Sequence, residues 1–203
     1  MSLTHPPPDP VRQPSLFSTE AADPSLADLA GLLAGPGEVG RMGGTARVSV
    51  VVDAAWRVHV LVAELAARGV AASWEPTEDG RHLVRTAYAT TLAPLATAWQ
   101  RGTAKHAPAG FHLNGRRLRL WLAAAGVSDP AGCQLGLGPG DEESWPRVRA
   151  ALAAVGLPAA FVEPAEGGPA YRITGRRRMA RLAELVGDRP AAAPAAAWPG
   201  PGG

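Results

Sequence analysis

Arginine is the residue type in this sequence best suited to site chemistry, and its placement along the chain is uneven. No acidic residue occurs between Asp79 and Asp129, an interval with a local charge of +7. A second acid-free interval, Gly167 to Ala183, carries +5. Segregated charge can make one face strongly positive while the net charge stays near zero, here +2. Such a face is expected of a protein that binds the phosphates of a nucleic acid.

Eight arginines are the candidate contacts, since a guanidinium group can reach a phosphate or pair with guanine. They lie in predicted hairpins or near the start of predicted helices. The candidates are Arg81, Arg85, Arg172, Arg176, Arg177, Arg178, Arg116 and Arg117. Arg119 follows the last two, and these three could instead cap the helix that they begin. The alternative for the whole set is a solvated surface enriched in arginine by coding bias, because Lys105 is the only lysine.

Other site chemistries lack the residues that they need. The five histidines show no ligand spacing and Cys133 is a lone cysteine, so neither a zinc site nor a disulfide is expected. The stretch Gly136–Gly140 resembles a phosphate-binding loop, but the acids at 141–143 would repel a phosphate there. We interpret it as a turn between a strand and a helix. No metal ion and no cofactor are expected.

The composition also restricts the class of protein and its location. A lone cysteine indicates a reducing environment, and no apolar run approaches the roughly 20 residues that span a bilayer. Residues 1–10 lack the basic and apolar regions of a signal peptide. We therefore expect a cytoplasmic or nucleoid-associated protein without a membrane partner.

One folded body is predicted between two disordered ends. Residues 1–24 and 189–203 show no hydrophobic periodicity and contain many prolines, which is typical of flexible segments. The body covers residues 25–188, a length that is sufficient to bury a core.

An internal repeat with an offset of about 87 residues divides this body into halves, about 25–105 and 112–188. The segment Leu65–Gly80 matches Leu152–Gly168, including a shared Glu-Pro-x-Glu-x-Gly turn. Hydrophobic periodicity and turn residues predict the order α-β-β-α-β-β-α in each half. The predicted fold class is therefore α+β, a duplicated and pseudo-twofold structure formed by a single chain.

The first helix of each half carries a degenerate signature: Leu29–Gly37 reads LAGLLAGPG, and Leu118–Gly126 reads LRLWLAAAG. These helices and the element order resemble the LAGLIDADG homing-endonuclease superfamily, in which two such helices pack closely and four-stranded saddles lie over DNA. The stretch Ala125–Pro130 also resembles the WhiA-type bacterial regulators, whose LAGLIDADG domain is non-catalytic. The resemblance implies a bacterial protein that binds duplex DNA by a basic sheet face, as a regulator or accessory factor.

The residues that the resemblance assigns to metal binding are replaced here. In that family an acid near the end of each signature helix holds Mg²⁺ at the scissile phosphates. Pro36 and Ala125 occupy those positions, and neither side chain can bind a metal. We therefore expect that the chain is not an enzyme. The alternative is a residual Mg²⁺-dependent endonuclease that uses Glu38 and Asp129, which lie nearby in the sequence.

The N-terminal arm contains one motif of its own. Gln13, Leu16 and Phe17 belong to a Gln-Pro-Ser-Leu-Phe stretch that resembles the pentapeptide by which bacterial proteins bind the DNA sliding clamp. A short apolar pair in a disordered arm suits capture by a preformed pocket. This motif implies a second function, that of an interaction adaptor on the clamp. The alternative is that Leu16 and Phe17 pack against the protein's own body.

Overall fold

The structure is a computed structural model that describes residues 23–163 and 168–200. The first half begins with a 3-10 turn at Leu26–Leu29, where the Ser25 backbone N–H donates to the Asp28 carboxylate at 3.0 Å. The remaining helices and strands follow in the predicted order. They are α1 (Ala30–Ala34), β1 (Glu38–Met42), β2 (Thr45–Val52), α2 (Ala55–Ala66), β3 (Ala72–Pro76), β4 (His82–Thr86), α3 (Ala93–Trp99), β5 (Gln100–Arg101) and β6 (Ala104–Lys105).

The second half repeats this order from its first to its last helix, and within the described residues only the first half adds the short strands β5 and β6. Its first helix begins after Asn114, whose side chain accepts a hydrogen bond from the Arg117 backbone N–H and caps the helix. Its elements are α4 (Gly115–Ala125), β7 (Gly126–Asp129), β8 (Gly132–Gly136), α5 (Trp145–Ala154), β9 (Ala160–Val162), β10 (Ala170–Thr174) and α6 (Arg176–Val186). Among the described residues, no helix has both the length and the apolar character needed to cross a bilayer.

Each half forms an antiparallel four-stranded sheet, and the strand orders β1-β2-β4-β3 and β7-β8-β10-β9 are equivalent. Along β2, buried residues alternate with half-exposed ones, so one face of the sheet joins the core and the other turns away from the helices. We call the second face the outer face. The predicted α+β fold is confirmed, and an ancestral duplication as its origin remains a prediction.

The paired helices α1 and α4 lie at the centre of the core and are almost entirely buried. Their backbones meet at Gly31, where an added β-carbon would overlap the backbone carbonyl of Arg117. One turn further along, Gly35 lies against the indole of Trp121, so the two helices run in the same direction and end together. Small residues are therefore required at this crossing because the helix axes approach too closely for side chains.

The prediction of a disordered C-terminal tail is wrong for residues 189–200. Trp198 is 4% exposed, and its indole N–H donates to the Gly187 carbonyl at 3.2 Å. The Arg119 guanidinium lies over the Trp198 ring, 5.1 Å from the ring centroid, which is within the range of a cation–π contact. Burial of a large aromatic side chain outweighs the low periodicity of the segment.

Replacing Gly31 by alanine is expected to destabilise the protein by at least about 2 kcal/mol, because the added methyl group must displace the α4 backbone. This outcome opposes the gain of about 1 kcal/mol that Gly→Ala normally gives in a helix. Chemical denaturation followed by circular dichroism measures the change. Gly44→Ala is the control, because no atom lies within 4 Å of the added β-carbon. Equal stabilities of the two variants would contradict the close approach.

Candidate nucleic-acid interface

The C-terminal end of α4 faces a groove between the two sheets. This central groove has a volume of about 540 Å³ and is lined by Val51 of the first sheet and by Val127, Gln134 and Ala170 of the second. A smaller side recess of about 310 Å³ adjoins it, and Pro36 lines both. The pairing of α1 with α4 thus brings both sheets to one site.

Three arginines lie on the outer faces of the two sheets that border the central groove. Arg47 occupies a half-exposed position of β2, between buried Ala46 and Val48. Arg85 on β4 is paired with Ser49 of β2 and shares that face. Arg172 on β10 is paired with Gln134 of β8, which lines the groove. Sequence reasoning identified Arg85 and Arg172 but missed Arg47, although the alternation along β2 places it on the outer face.

Neighbouring carboxylates hold most of the arginines at this site. Arg81 lines the central groove and contacts Asp79 at 2.7 Å. Arg85 contacts Glu75 at 3.0 Å, and Arg172 contacts Asp129 at 2.7 Å. The outer faces are therefore mixed in charge, because acids distant from Arg172 and Arg85 in sequence return beside them in the sheets.

These pairs favour the charged forms of their acids. Hydrogen bonds from Arg81 and Thr77 hold the pKa of Asp79 well below its ordinary value. A hydrogen bond from Arg172 lowers the pKa of Asp129 in the same way. All of these groups are exposed enough to be screened by solvent, so each pair contributes little to stability.

The structure does not bring all eight candidate arginines together. Arg116 and Arg117 lie at the start of α4, at the opposite end of the helix from the groove. Burial lowers the pKa of Arg117, which donates to the His112 carbonyl. The three arginines 176–178 form the first turn of α6 beyond the outer end of β10 and do not line the groove. Their role as DNA contacts stays a prediction.

Arg119 takes part in a buried polar network instead of facing the groove. It donates to Glu64 of α2 at 2.6 Å and to the carbonyls of Val186 and Asp188, at the end of α6. Glu64 also accepts from Arg68, which in turn contacts buried Asp28 at 3.1 Å. The network joins the two halves. The suggestion that Arg119 caps its own helix is therefore wrong, because it caps α6.

Two other cations lie at the ends of the paired helices, and sequence reasoning assigned a role to neither. Arg57 donates to the carbonyls of Ala123 at 3.0 Å and Gly126 at 2.7 Å, at the end of α4. The Nζ atom of Lys105 lies 2.7 Å from the Gly35 carbonyl at the end of α1. The free carbonyls of a helix end carry partial negative charge, which favours a cation there.

The residues at these helix ends do not fit the Mg²⁺ ions that the LAGLIDADG resemblance implies. Pro36 and Ala125 line the central groove where that resemblance would place acids. Within residues 23–163 and 168–200, no three or more His, Cys, Asp or Glu side chains are grouped so that they could hold a metal ion. The endonuclease alternative is not supported by the geometry either. Glu38 lines the side recess, whereas Asp129 lies at the end of β7 and is bound to Arg172.

Comparison with known proteins identifies the fold. No protein-family model and no curated protein sequence matches this chain. A solved structure of the homing endonuclease I-WcaI bound to its DNA recognition sequence matches with a TM-score of 0.57 and 12% identity, over 78% of each chain. I-DmoI in complex with DNA and Mn gives a TM-score of 0.44 and 14% identity, over 80% of this chain and 96% of that one. The chain therefore has the LAGLIDADG homing-endonuclease-like fold, and the I-WcaI match carries this assignment.

The expectation that the chain is not an enzyme is contradicted by this comparison, because I-WcaI, the solved structure that carries the fold assignment, is a homing endonuclease. The prediction was based on Pro36 and Ala125, which replace the two metal-binding acids. The replacement of ligands at two positions is not sufficient to assign a protein to a non-enzymatic class. The clamp motif at Gln13, Leu16 and Phe17 lies outside the described residues and stays a prediction, as does the sliding clamp as a partner.

Replacing Glu64 by glutamine is expected to reduce stability at neutral pH by about 2 kcal/mol, because buried Arg68 and half-buried Arg119 both lose a charged partner. Burial alone would raise the pKa of Glu64, but hydrogen bonds from Arg119 and Arg68 outweigh it and lower the pKa. The contribution of the Glu64 carboxylate to folding stability is therefore fully present above the ordinary pKa of glutamate. It is lost as the pH falls through the lowered pKa of the folded state.

Denaturant unfolding of the wild type and of Glu64→Gln from about pH 7 to about pH 3 measures this effect. The stability difference should narrow toward acidic pH. Glu184→Gln is the control, because its carboxylate pairs with Arg181 on the surface of α6 and should change stability little. A difference that stays constant with pH would contradict the role of the charge.

Proposed function

We propose that this protein binds duplex DNA along the outer faces of its two sheets, with the central groove at the middle of the site. The arrangement of Arg47, Arg85 and Arg172 carries this proposal. These arginines lie on outer faces on both sides of one groove. A fold shared with a homing endonuclease solved on its DNA recognition sequence adds support.

The geometry suits a long, regular polyanion better than a small ligand. The central groove is lined mainly by backbone and apolar side chains, and of its two arginines Arg81 is paired with Asp79 and Arg57 with Asp53 and helix-end carbonyls. The remaining cations lie on strands that flank it. Phosphate contacts from separate strands fix a duplex in position, while the guanidinium groups can also reach base edges.

The carboxylate partners of these arginines set how tightly the protein binds. Glu75 and Asp129 hold Arg85 and Arg172 on the outer faces and lower the positive charge seen by any polyanion. Weak pairs of this kind reduce binding to arbitrary phosphates, and they exchange for a phosphate that is correctly placed. The protein is then a DNA-binding regulator or accessory factor, as the resemblance to WhiA-type regulators implies.

Single replacements of Arg47, Arg85 and Arg172 by alanine are each expected to weaken binding to a generic duplex. Each lost phosphate contact should reduce the slope of log affinity against log salt by about one unit. Fluorescence anisotropy titrations at several salt concentrations measure both quantities. Arg149→Ala is the control, because Arg149 is exposed on α5 and does not line the groove. Affinity that does not depend on salt would reject the proposal.

Neutralising the partner acids should have the opposite effect. Glu75→Gln and Asp129→Asn release Arg85 and Arg172, and affinity for a generic duplex is expected to rise by about two- to fivefold with a steeper salt dependence. The same titrations measure the gain. Glu184→Gln, which releases Arg181 on α6, is the matched control and should leave affinity unchanged. A loss of affinity in Glu75→Gln and Asp129→Asn would show that these arginines do not contact DNA.

A further inference from the structure

The side recess contains an ammonium group whose surroundings are unusual for a lysine. Lys105 has a side chain that is only 9% exposed, and its Nζ atom lies 2.7 Å from the Asp141 carboxylate. It also donates to the backbone carbonyls of Gly35 at 2.7 Å and Gly37 at 2.6 Å. Three acceptors require three N–H donors, which only the protonated form of lysine supplies.

The oxygen atoms around Lys105 form a set that a hard cation would also bind. Two backbone carbonyls and one carboxylate surround Nζ, and Glu38 lines the same recess. Backbone carbonyl and carboxylate oxygens are the ligands of Ca²⁺ and, with water, of Mg²⁺. The recess thus holds the donor types of a divalent-cation site, with an ammonium group at its centre.

The other paired helix ends in a similar way. Arg57 is 5% exposed, and its guanidinium donates to three carbonyls at the end of α4 and to the Asp53 carboxylate at 2.7 Å. Both cations therefore combine helix-end carbonyls with one aspartate. Because α1 and α4 end side by side, the partial negative charges of their two ends would otherwise add to each other.

Burial lowers the pKa of Lys105 and raises that of Asp141, and the contact between the two groups opposes both shifts. Keeping the ammonium in the recess is therefore costly without its partners. The partners of Lys105 offset this cost, as expected if the fold needs a cation at this position.

We propose that Lys105 and Arg57 are built-in cations that take the places of divalent metal ions at the two helix ends, and that the side recess is a latent metal site. Removing the Lys105 ammonium then creates a site for Ca²⁺ or Mg²⁺ formed by Gly35, Gly37 and Asp141. This inference concerns the groove of the proposed function, but it does not require that DNA binds there.

The test uses the full chain without DNA and Ca²⁺ as the probe. In the presence of a chelator, Lys105→Ala should melt at a lower temperature than the wild type, and millimolar Ca²⁺ should restore much of the loss. The double variant Lys105→Ala/Asp141→Asn should melt low and gain little from Ca²⁺, because the carboxylate ligand is gone. The wild type should be indifferent to Ca²⁺. Calorimetric titration should show one bound Ca²⁺ in Lys105→Ala only.

A folded Lys105→Ala variant that neither binds Ca²⁺ nor is stabilised by it would overturn the latent site. A second measurement covers the case in which that variant does not fold. Electron paramagnetic resonance of Mn²⁺ mixed with the wild type should show only free Mn²⁺. Bound Mn²⁺ that is lost in Asp141→Asn or Asp53→Asn would show that the wild type already binds a metal ion at a helix end, and would overturn the proposal.

Discussion

The close backbone contact between α1 and α4 is the constraint on which the rest of this structure depends. Gly31 permits it, since a side chain there would overlap the backbone of Arg117. The contact makes the two helices end together, and each sheet then follows its own helix. Both outer faces are consequently placed beside one groove, and a surface that neither half has alone becomes available for a long ligand.

Two helix C-termini that lie side by side also bring their partial negative charges close together. Carbonyls at the end of α4 bind Arg57, which lines the central groove, and the Gly35 carbonyl at the end of α1 binds Lys105 in the side recess. Arg57 comes from α2 and Lys105 from the segment after α3, so the first half supplies both cations. The negative charge of the helix ends is therefore neutralised locally by Arg57 and Lys105. The arginines of the sheets are not needed for that role.

The net charge of each outer face depends on which residues lie on adjacent strands more than on which residues are close in the sequence. The long acid-free interval in the sequence suggests a strongly basic face, but Glu75 on β3 and Asp129 on β7 lie beside Arg85 and Arg172. Asp129 and Arg172 are separated by 43 residues in the chain. Antiparallel pairing of the strands brings such groups together. The carboxylates hold the guanidinium groups in place and reduce the net positive charge of the outer faces.

The sequence by itself determined the fold class and the order of helices and strands in both halves, apart from the short strands β5 and β6. These features depend on periodicity, capping and turn residues, which are local properties. Only the tertiary structure decided which charged groups meet, because pairs such as Lys105 with Gly35 lie 70 residues apart. It also decided that Arg119 joins a polar network between the two halves and that the tail packs through Trp198. Such contacts depend on distances in space, and no local pattern encodes them.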